Sequence, residues 1–396
     1  MIVMRKLLKI NISLILCTQL FIQVKAQKIE TLNVIKKASI QYHNAIENNL
    51  DSTKIPRSNK PNGSVYTVSS SDWCSGFFSG TLWLLYELTK DDFFKKSAIK
   101  WSKVLENEQY NTSTHDLGFM MYIPFGEGFK NTKSEAYKNI IIQSAKSLAK
   151  RFHPGVGLIK SWDGGKYNYP VIIDNMMNLE LLFEAGKLTG DESYQRIALL
   201  HADKTMANHF RKDYSSYHVV DYDSITGKVI KKQTNQGIAN ESAWARGQAW
   251  GLYGYTLMYR YTKNKKYLEQ ANHIADFILN HNNYPKDGVP YWDFNDPEIP
   301  NTYRDASAGA IIASALLELK KYVDKDRELK YYQQAETILQ TLSSPSYFAE
   351  TGNNNFIIKH CVGNWPRGKT TGEIDASINY GDYYYLEALK RYIDSK

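Results

Sequence analysis

Four stretches of this chain repeat one pattern: an apolar helix, a short polar turn, then a second helix that is apolar on one side only. The first covers 80–105 and turns at Lys90-Asp91-Asp92; the second covers 179–210 and turns at Thr189-Gly190-Asp191. The third covers 248–279 around Lys263-Asn264-Lys265, and the fourth 307–342 around Asp324-Lys325-Asp326. Leu, Ala, Gly and Tyr surround most of each first helix, as in a helix buried on all sides. Each second helix keeps its apolar residues at helical spacing, as in Ala271, Ile274, Ala275 and Ile278. Tyr194, Tyr267 and Tyr331 recur just after their turns. Further helices over 29–46, 134–152 and 383–393 complete the series. Buried first helices and one-sided second helices predict two concentric rings, an all-α fold of the α/α-barrel type. A linear solenoid is the other arrangement that hairpin repeats allow. In a closed ring the loops at one end share one pocket, so the longest non-repeating insertions should build the site.

No Pro/Gly/Ser linker divides the chain, and a single domain over 27–396 is expected. Residues 54–71, rich in Pro, Asn and Ser, read as a loop leading into it. The first 26 residues have the form of a signal peptide. Arg5, Lys6 and Lys9 make a basic start, an apolar run follows, and Val24-Lys25-Ala26 offers small residues for cleavage. Cleavage near Ala26 and a periplasmic or secreted location are expected. Leu16 stands before Cys17 where lipidation would want a small residue, so cleavage is favoured over an anchor. No segment is long and apolar enough to span a bilayer.

Charge and motif content narrow the function classes. Lys and Arg number 49 against 41 Asp and Glu, and half of the resulting +8 falls within the leader. The balance that remains does not indicate nucleic acid. Cys74 and Cys361 could pair or remain buried thiols. No Cys, His or acidic cluster has metal-ligand spacing and no phosphate-binding glycine loop occurs, so neither metal nor cofactor is expected.

The loops carry the chemistry. Asp174 stands after Val171-Ile172-Ile173 and before a helical run through Leu181, Leu182 and Phe183. A carboxylate in such surroundings loses solvation and tends to keep its proton, as a general acid must. Its other reading is a helix N-cap. Asp116 follows His115 and precedes an apolar helix, and again could be a cap. His218 and Val220 share one face of an alternating stretch. Arg246 and Trp250, four residues apart, share the face at the mouth of a buried helix. Such an arginine needs an anionic partner, either a ligand carboxylate or an internal aspartate.

These segments are where the chain resembles a known family, the unsaturated glucuronyl hydrolases of glycoside hydrolase family 88. The matching motifs are Trp73-Cys74-Ser75-Gly76-Phe77, His115-Asp116-Leu117-Gly118-Phe119, Ile173-Asp174-Asn175-Met176-Met177-Asn178, Ser216-Tyr217-His218-Val219-Val220 and Trp244-Ala245-Arg246-Gly247-Gln248-Ala249-Trp250. Glu373-Ile374-Asp375 and Tyr380-Gly381-Asp382-Tyr383 match near the C-terminus. The resemblance implies a six-hairpin (α/α)6 barrel with active-site loops at one end. It implies a hydrolase acting on lyase-generated oligosaccharides that end in a 4,5-unsaturated uronic acid, in functional partnership with polysaccharide lyases. By the same match Asp174 protonates C4 of the enol ether and Asp116 supports that step. Arg246, His218 and Gln236 would surround the uronate, Trp73, Trp162 and Trp250 would frame its ring, and His115 would tune Asp116. Trp365 and Lys369, with Arg367 between them, would meet the neighbouring sugar and any sulfate; a plain surface loop is the other reading. Glycosaminoglycan and ulvan fragments both fit. An unsaturated rhamnogalacturonyl hydrolase and a catalytically silent carbohydrate-binding protein are the rival readings.

Overall fold

The turn joining two helices of a hairpin is written four times in nearly the same letters. Thr89-Lys90-Asp91, Thr132-Lys133-Ser134, Thr189-Gly190-Asp191 and Thr262-Lys263-Asn264 share one geometry in the computed structural model, which describes residues 29–48, 50–60, 62–349 and 355–396, without the side chains of 369–371. Each threonine hydroxyl donates to the carbonyl four residues back at 2.7 Å. The same hydroxyl accepts the N–H of the third residue at 3.2–3.3 Å. The middle residue takes the left-handed conformation (φ 55–75°), closing the first helix, and the third residue's side chain caps the second. Lysine at three of these left-handed positions costs about 1 kcal/mol each relative to glycine, and the two flanking hydrogen bonds offset it.

These turns connect inner helices to outer ones: α2 (Ser75–Thr89) to α3 (Asp92–Lys103), α4 (Ile123–Thr132) to α5 (Glu135–Ala149), α6 (Asn175–Thr189) to α7 (Glu192–Asn208), and α8 (Ala245–Thr262) to α9 (Lys265–Asn280). The fifth pair, α10 (Ala306–Leu319) and α11 (Lys325–Leu342), turns through a short 3-10 segment instead. The sixth pair joins the two ends of the fold. Inner α13 (Asn379–Asp394) pairs with outer α1 (Thr31–Asn48), tied by Tyr42 Oη donating to Asp382 Oδ2 at 2.7 Å. The inner helices then close a ring, with α13 packed on both α10 and α2. The fold is an all-α (α/α)6 barrel. Thr31–Lys396 forms one unit. The leader expected over 1–26 lies outside the described residues.

Two expectations are corrected. The second hairpin was expected only as a lone helix over 134–152, because its inner helix α4 is short, holds Pro124, Gly126 and Gly128, and is entered through a π-helical turn, Gly118–Tyr122. That turn lies against α2 so closely that a Cβ on Gly76 would stand 2.1 Å from the Phe119 carbonyl oxygen, so only glycine fits there. Residues 54–71 are not simply a loop. They form a hairpin of β1 (Ile55–Asn59) and β2 (Val65–Val68) around Asn62-Gly63, where Gly63 has φ 83°. A second small sheet, β3 (Phe152–His153) with β4 (Leu158–Ile159), and an antiparallel sheet of β5 (Tyr169–Ile172), β6 (Val219–Tyr222) and β7 (Val229–Gln233) complete the loop end. Among the described residues no helix is long and apolar enough to cross a membrane.

The ring interior is filled by aromatic side chains. Phe77, Phe119, Trp250 and Tyr384 are buried and pack with ring centroids 5.2–5.7 Å apart. Each such burial stabilises the fold by about 2–3 kcal/mol. The aromatic layer also forms the floor beneath the loop end.

Candidate active site

Asp174 stands between β5 and α6, and its side chain caps nothing. It occupies the N-cap position, yet it adopts helical backbone angles and accepts none of the helix's free N–H groups. Asp174 is 7% exposed, and its Oδ2 finds no hydrogen-bond partner within the protein. Burial pushes its pKa up to about 6; the His115 and Arg246 cations pull against that shift and Asp116 adds to it.

Asp116 is held differently. Thr114 Oγ1 donates to its Oδ2 at 2.8 Å, and His115 Nε2 lies 3.0 Å from Oδ1, near enough for an ion pair but without hydrogen-bond geometry. His115 Nδ1 meets the Ser161 carbonyl at 2.9 Å. Burial lowers the His115 pKa, but the charge of Asp116 close beside it, the contact with the Ser161 carbonyl and the Asp174 charge raise it overall. The contact with Ser161, and a bridge pairing Thr114 with Trp162, bring the Trp162 loop to this carboxylate.

His218 follows Tyr217 into β6. Its Nδ1 accepts the backbone N–H groups of Asn235 and Gln236, both at 3.1 Å, so the ring hydrogen sits on Nε2. Nε2 has no hydrogen-bond partner in the protein and lies 3.9 Å from Asp174 Oδ2. Burial, then the charges of Arg246 and His115, press the His218 pKa to about 3, so the ring is neutral.

Arg246, in the first turn of α8, is fully engaged at its ends. Nη1 donates to Asp305 Oδ2 at 2.8 Å and to the Val362 carbonyl; Nη2 donates to Gln236 Oε1 at 3.0 Å and to the Gly363 carbonyl. The internal aspartate partner allowed by the sequence is therefore present. Asp305 is completely buried and also caps α10 through the N–H groups of Ser307 and Ala308. The guanidinium lies over the rings of Trp244 and Tyr380, at 4.6 and 5.2 Å. Gln236 is half-buried, and its side-chain oxygen is committed to Arg246.

The tryptophans divide into two groups. Trp250 is fully buried with its Nε1 unpartnered, and Trp73 packs edge-on against Phe77 and Phe119 and tilted on Tyr380. Trp162 sits edge-on to Tyr167. Trp365 makes none of these ring contacts and is stacked on Trp292 at 4.5 Å and 14° at the start of α12 (Trp365–Thr371). Lys369 is on the same helix, and its side chain lies outside the described atoms. Cys74 and Cys361 are buried free thiols.

Asp174 Oδ2, His115 Nε2, His218 Nε2, Trp250 Nε1, Tyr380 Oη and Arg246 Nε all lack hydrogen-bond partners in the protein. A buried polar atom left unbonded costs about 1–3 kcal/mol, so six in one region point to a polar ligand that completes them. Asp305 and Tyr380 went unassigned in the sequence. Asp305 could have been found as the cap-type residue before the apolar run of α10, whereas Tyr380 stood in a motif of the resemblance without a role.

A buried acid beside a second carboxylate, floored by aromatics at the loop end of an α/α barrel, is a carbohydrate hydrolase's site. Residues 48–394 match the model of Glycosyl Hydrolase Family 88, and the chain belongs to that family. It is 52% identical, over 83% of its length and 81% of the relative's, to the unsaturated glucuronyl hydrolase of Formosa agariphila. An unsaturated glucuronyl hydrolase specific for heparin superposes with a TM-score of 0.89 at 48% identity, covering 92% of this chain and 97% of the other. An unsaturated glucuronyl hydrolase with dGlcA-Glc-Rha-Glc superposes at 0.83 with 33% identity, covering 90% and 95%.

Proposed function

We propose that the protein removes the 4,5-unsaturated glucuronic acid from the non-reducing end of lyase-generated oligosaccharides, and that Asp174 delivers the initiating proton to C4. The observation that carries this reading is the state of Asp174: buried, uncapped, with one oxygen unpartnered and a pKa raised to about 6. An ordinary two-acid glycosidase protonates the leaving-group oxygen. An enol ether needs one proton on carbon instead. That proton adds to C4, positive charge develops at C5 and the ring oxygen, and water adds at C5 with loss of a proton. The hemiketal then opens by breaking the C5–O5 bond, and the C1 hemiacetal this leaves collapses to an aldehyde, its hydroxyl proton passing to the departing glycosidic oxygen, to give the remaining sugar and a 4-deoxy-5-keto-uronate.

The other groups follow from their geometry. Asp116, with His115 beside it, stabilises the developing positive charge and orients ring hydroxyls. The Gln236 amide and the Nε2–H of His218 donate to the substrate carboxylate. Arg246 acts on it through Gln236 and through its own buried charge. Trp73, Trp162 and Trp250 frame the ring. Trp365 and Lys369, with exposed Arg367, receive the neighbouring sugar and any sulfate on it. Glycosaminoglycan or ulvan fragments are the substrates. A basic, then apolar leader with a cut near Ala26 supports action in the periplasm or outside the cell, alongside the lyases that make the substrate.

The test is a panel of unsaturated oligosaccharides from chondroitin, heparin and ulvan lyases, sulfated and unsulfated, together with unsaturated rhamnogalacturonan products. Loss of the conjugated double bond's ultraviolet absorbance is followed on each. Turnover of glucuronyl products establishes the reaction and names the polysaccharide. Turnover of rhamnogalacturonan products alone moves the protein to the neighbouring activity. Binding with no turnover on any member overturns the catalytic reading.

A further inference from the structure

Arg57 is a buried hub that the reaction does not yet use. It sits on β1, and its side chain is 11% exposed. Nε and Nη2 donate to the two carboxylate oxygens of Glu373, at 2.6 and 2.9 Å, and Nη1 donates to both oxygens of Asp72, at 2.8 and 3.0 Å. One guanidinium thus holds two carboxylates from opposite ends of the chain. Each belongs to a different wall of the candidate active site.

The Asp72 side is rigid. Its Oδ1 also accepts the Cys74 N–H at 3.1 Å and takes the Cys74 thiol at 3.1 Å. The next residue, Trp73, is fixed by the rings of Phe77, Phe119 and Tyr380, with the Arg57 guanidinium 5.9 Å from its ring. The Glu373 side belongs to the loop that carries α12 at its tip. The legs of that loop pair through Cys361 and Ala376, and through the Gly363 N–H donating to the Glu373 carbonyl. Arg246 holds one leg by the Val362 and Gly363 carbonyls, and Arg57 holds the other by the Glu373 side chain, which is 2% exposed.

We propose that Arg57 is a positioning residue for the second sugar of the substrate: it ties the α12 loop to the fixed Trp73 corner and so sets where Trp365 and its neighbours stand. This rests on the reading of that loop as the subsite next to the unsaturated uronate. A guanidinium can bridge two carboxylates in bidentate fashion, whereas an ammonium, with three donors on a flexible stem, cannot hold both in that geometry. Losing the bridge frees the loop and leaves the uronate pocket standing, because Trp73 keeps its aromatic packing.

The test compares Arg57→Lys and Glu373→Gln with the wild type on two substrates. One is the unsaturated disaccharide that the wild type cleaves best; the other is a phenyl 4,5-unsaturated uronide, which has no second sugar. Thermal melting first establishes the folded fraction. The expected result is a rise in KM for the disaccharide of about tenfold or more, with kcat within about threefold and the phenyl uronide's KM within about twofold. Parallel changes on both substrates, or no change on either in folded variants, overturn the proposal. Failure of both variants to fold also overturns it, leaving Arg57 as a clamp of the fold alone. A wild type inactive on both substrates would instead strike the proposed reaction, a distinct result.

Discussion

Asp174 Oδ2 and His218 Nε2 face each other across 3.9 Å, neither hydrogen-bonded to any group of the protein. The histidine's other nitrogen is committed to two backbone donors, so Nε2–H points into the gap as a donor. A substrate carboxylate or an attacking water can be held there beside the acid without either group having to break an existing bond.

Asp174→Asn keeps the size of the side chain and removes the proton it gives. Turnover should fall by at least about a thousandfold, with substrate binding retained. Steady-state kinetics and a binding titration on the same preparation check this. Turnover near the wild-type rate would remove Asp174 from the acid role.

The same substitution should stabilise the fold. The carboxyl's folded pKa of about 6 lies above its ordinary 3.8. Between these values the folded state binds more protons than the unfolded one, so stability declines as pH rises through this window and stays lowered above it. Asparagine removes that penalty, by about 1–3 kcal/mol near neutrality and not at all below about pH 4. Melting curves of both proteins at the two pH values read the difference.

The rate should fall as pH rises. An acid with a pKa of about 6 is spent above it, so kcat/KM should drop about tenfold per pH unit on the alkaline side. His218, already neutral from about pH 4 upward, adds no step in this range. A pH–rate profile flat through pH 5–8 would contradict the assignment.

Asp305→Ala leaves Arg246 buried without its charge partner and removes the cap of α10. Destabilisation of about 3–5 kcal/mol is expected. Arg246→Ala should cost a similar amount and should also loosen Gln236, raising KM. Urea unfolding and kinetics together separate the two effects. A stable Arg246→Ala with weakened binding alone would mean that the ion pair contributes little.

Tyr42→Phe tests the closing pair of the ring. The buried Asp382 carboxyl, pushed up to about 7 by burial despite bonds that lower it, accepts the Tyr42 hydroxyl and the N–H groups of Ile357 and Ile358. Loss of one buried bond to it should cost about 1–3 kcal/mol without changing kcat.

Local chemistry was legible; what depends on distant partners was not. The hairpins with long apolar inner helices could be read directly, and the loops that hold Asp116, Asp174 and Arg246 could be singled out, though not which of two readings each residue would take. The second hairpin was missed because its inner helix is short and glycine-rich, although Thr132-Lys133-Ser134 repeats the turn of its neighbours. The sixth could not appear as a repeat, since its helices lie at opposite ends of the chain. Whether Asp174 caps α6 turned on a backbone angle that no residue type fixes. Arg57 was silent for the same reason as the sixth hairpin: its meaning lies in Glu373, more than three hundred residues away.

The pairing of α13 with α1 makes the position of the chain's ends within the ring arbitrary. Tyr42 and Asp382 lie nearly equally far along their helices from Thr31 and Asp394, so with α1 and α13 antiparallel, as in the other hairpins, these two ends fall at the same level. A short linker from 394 to 31 would supply the missing turn, and new termini could be opened at Lys263-Asn264, where a hairpin turn is already exposed. Such a circularly permuted chain would keep every inner and outer neighbour and the whole loop end. Four joints of the ring are one repeated turn, the fifth is a 3-10 segment, and the sixth is held across space by Tyr42 and Asp382.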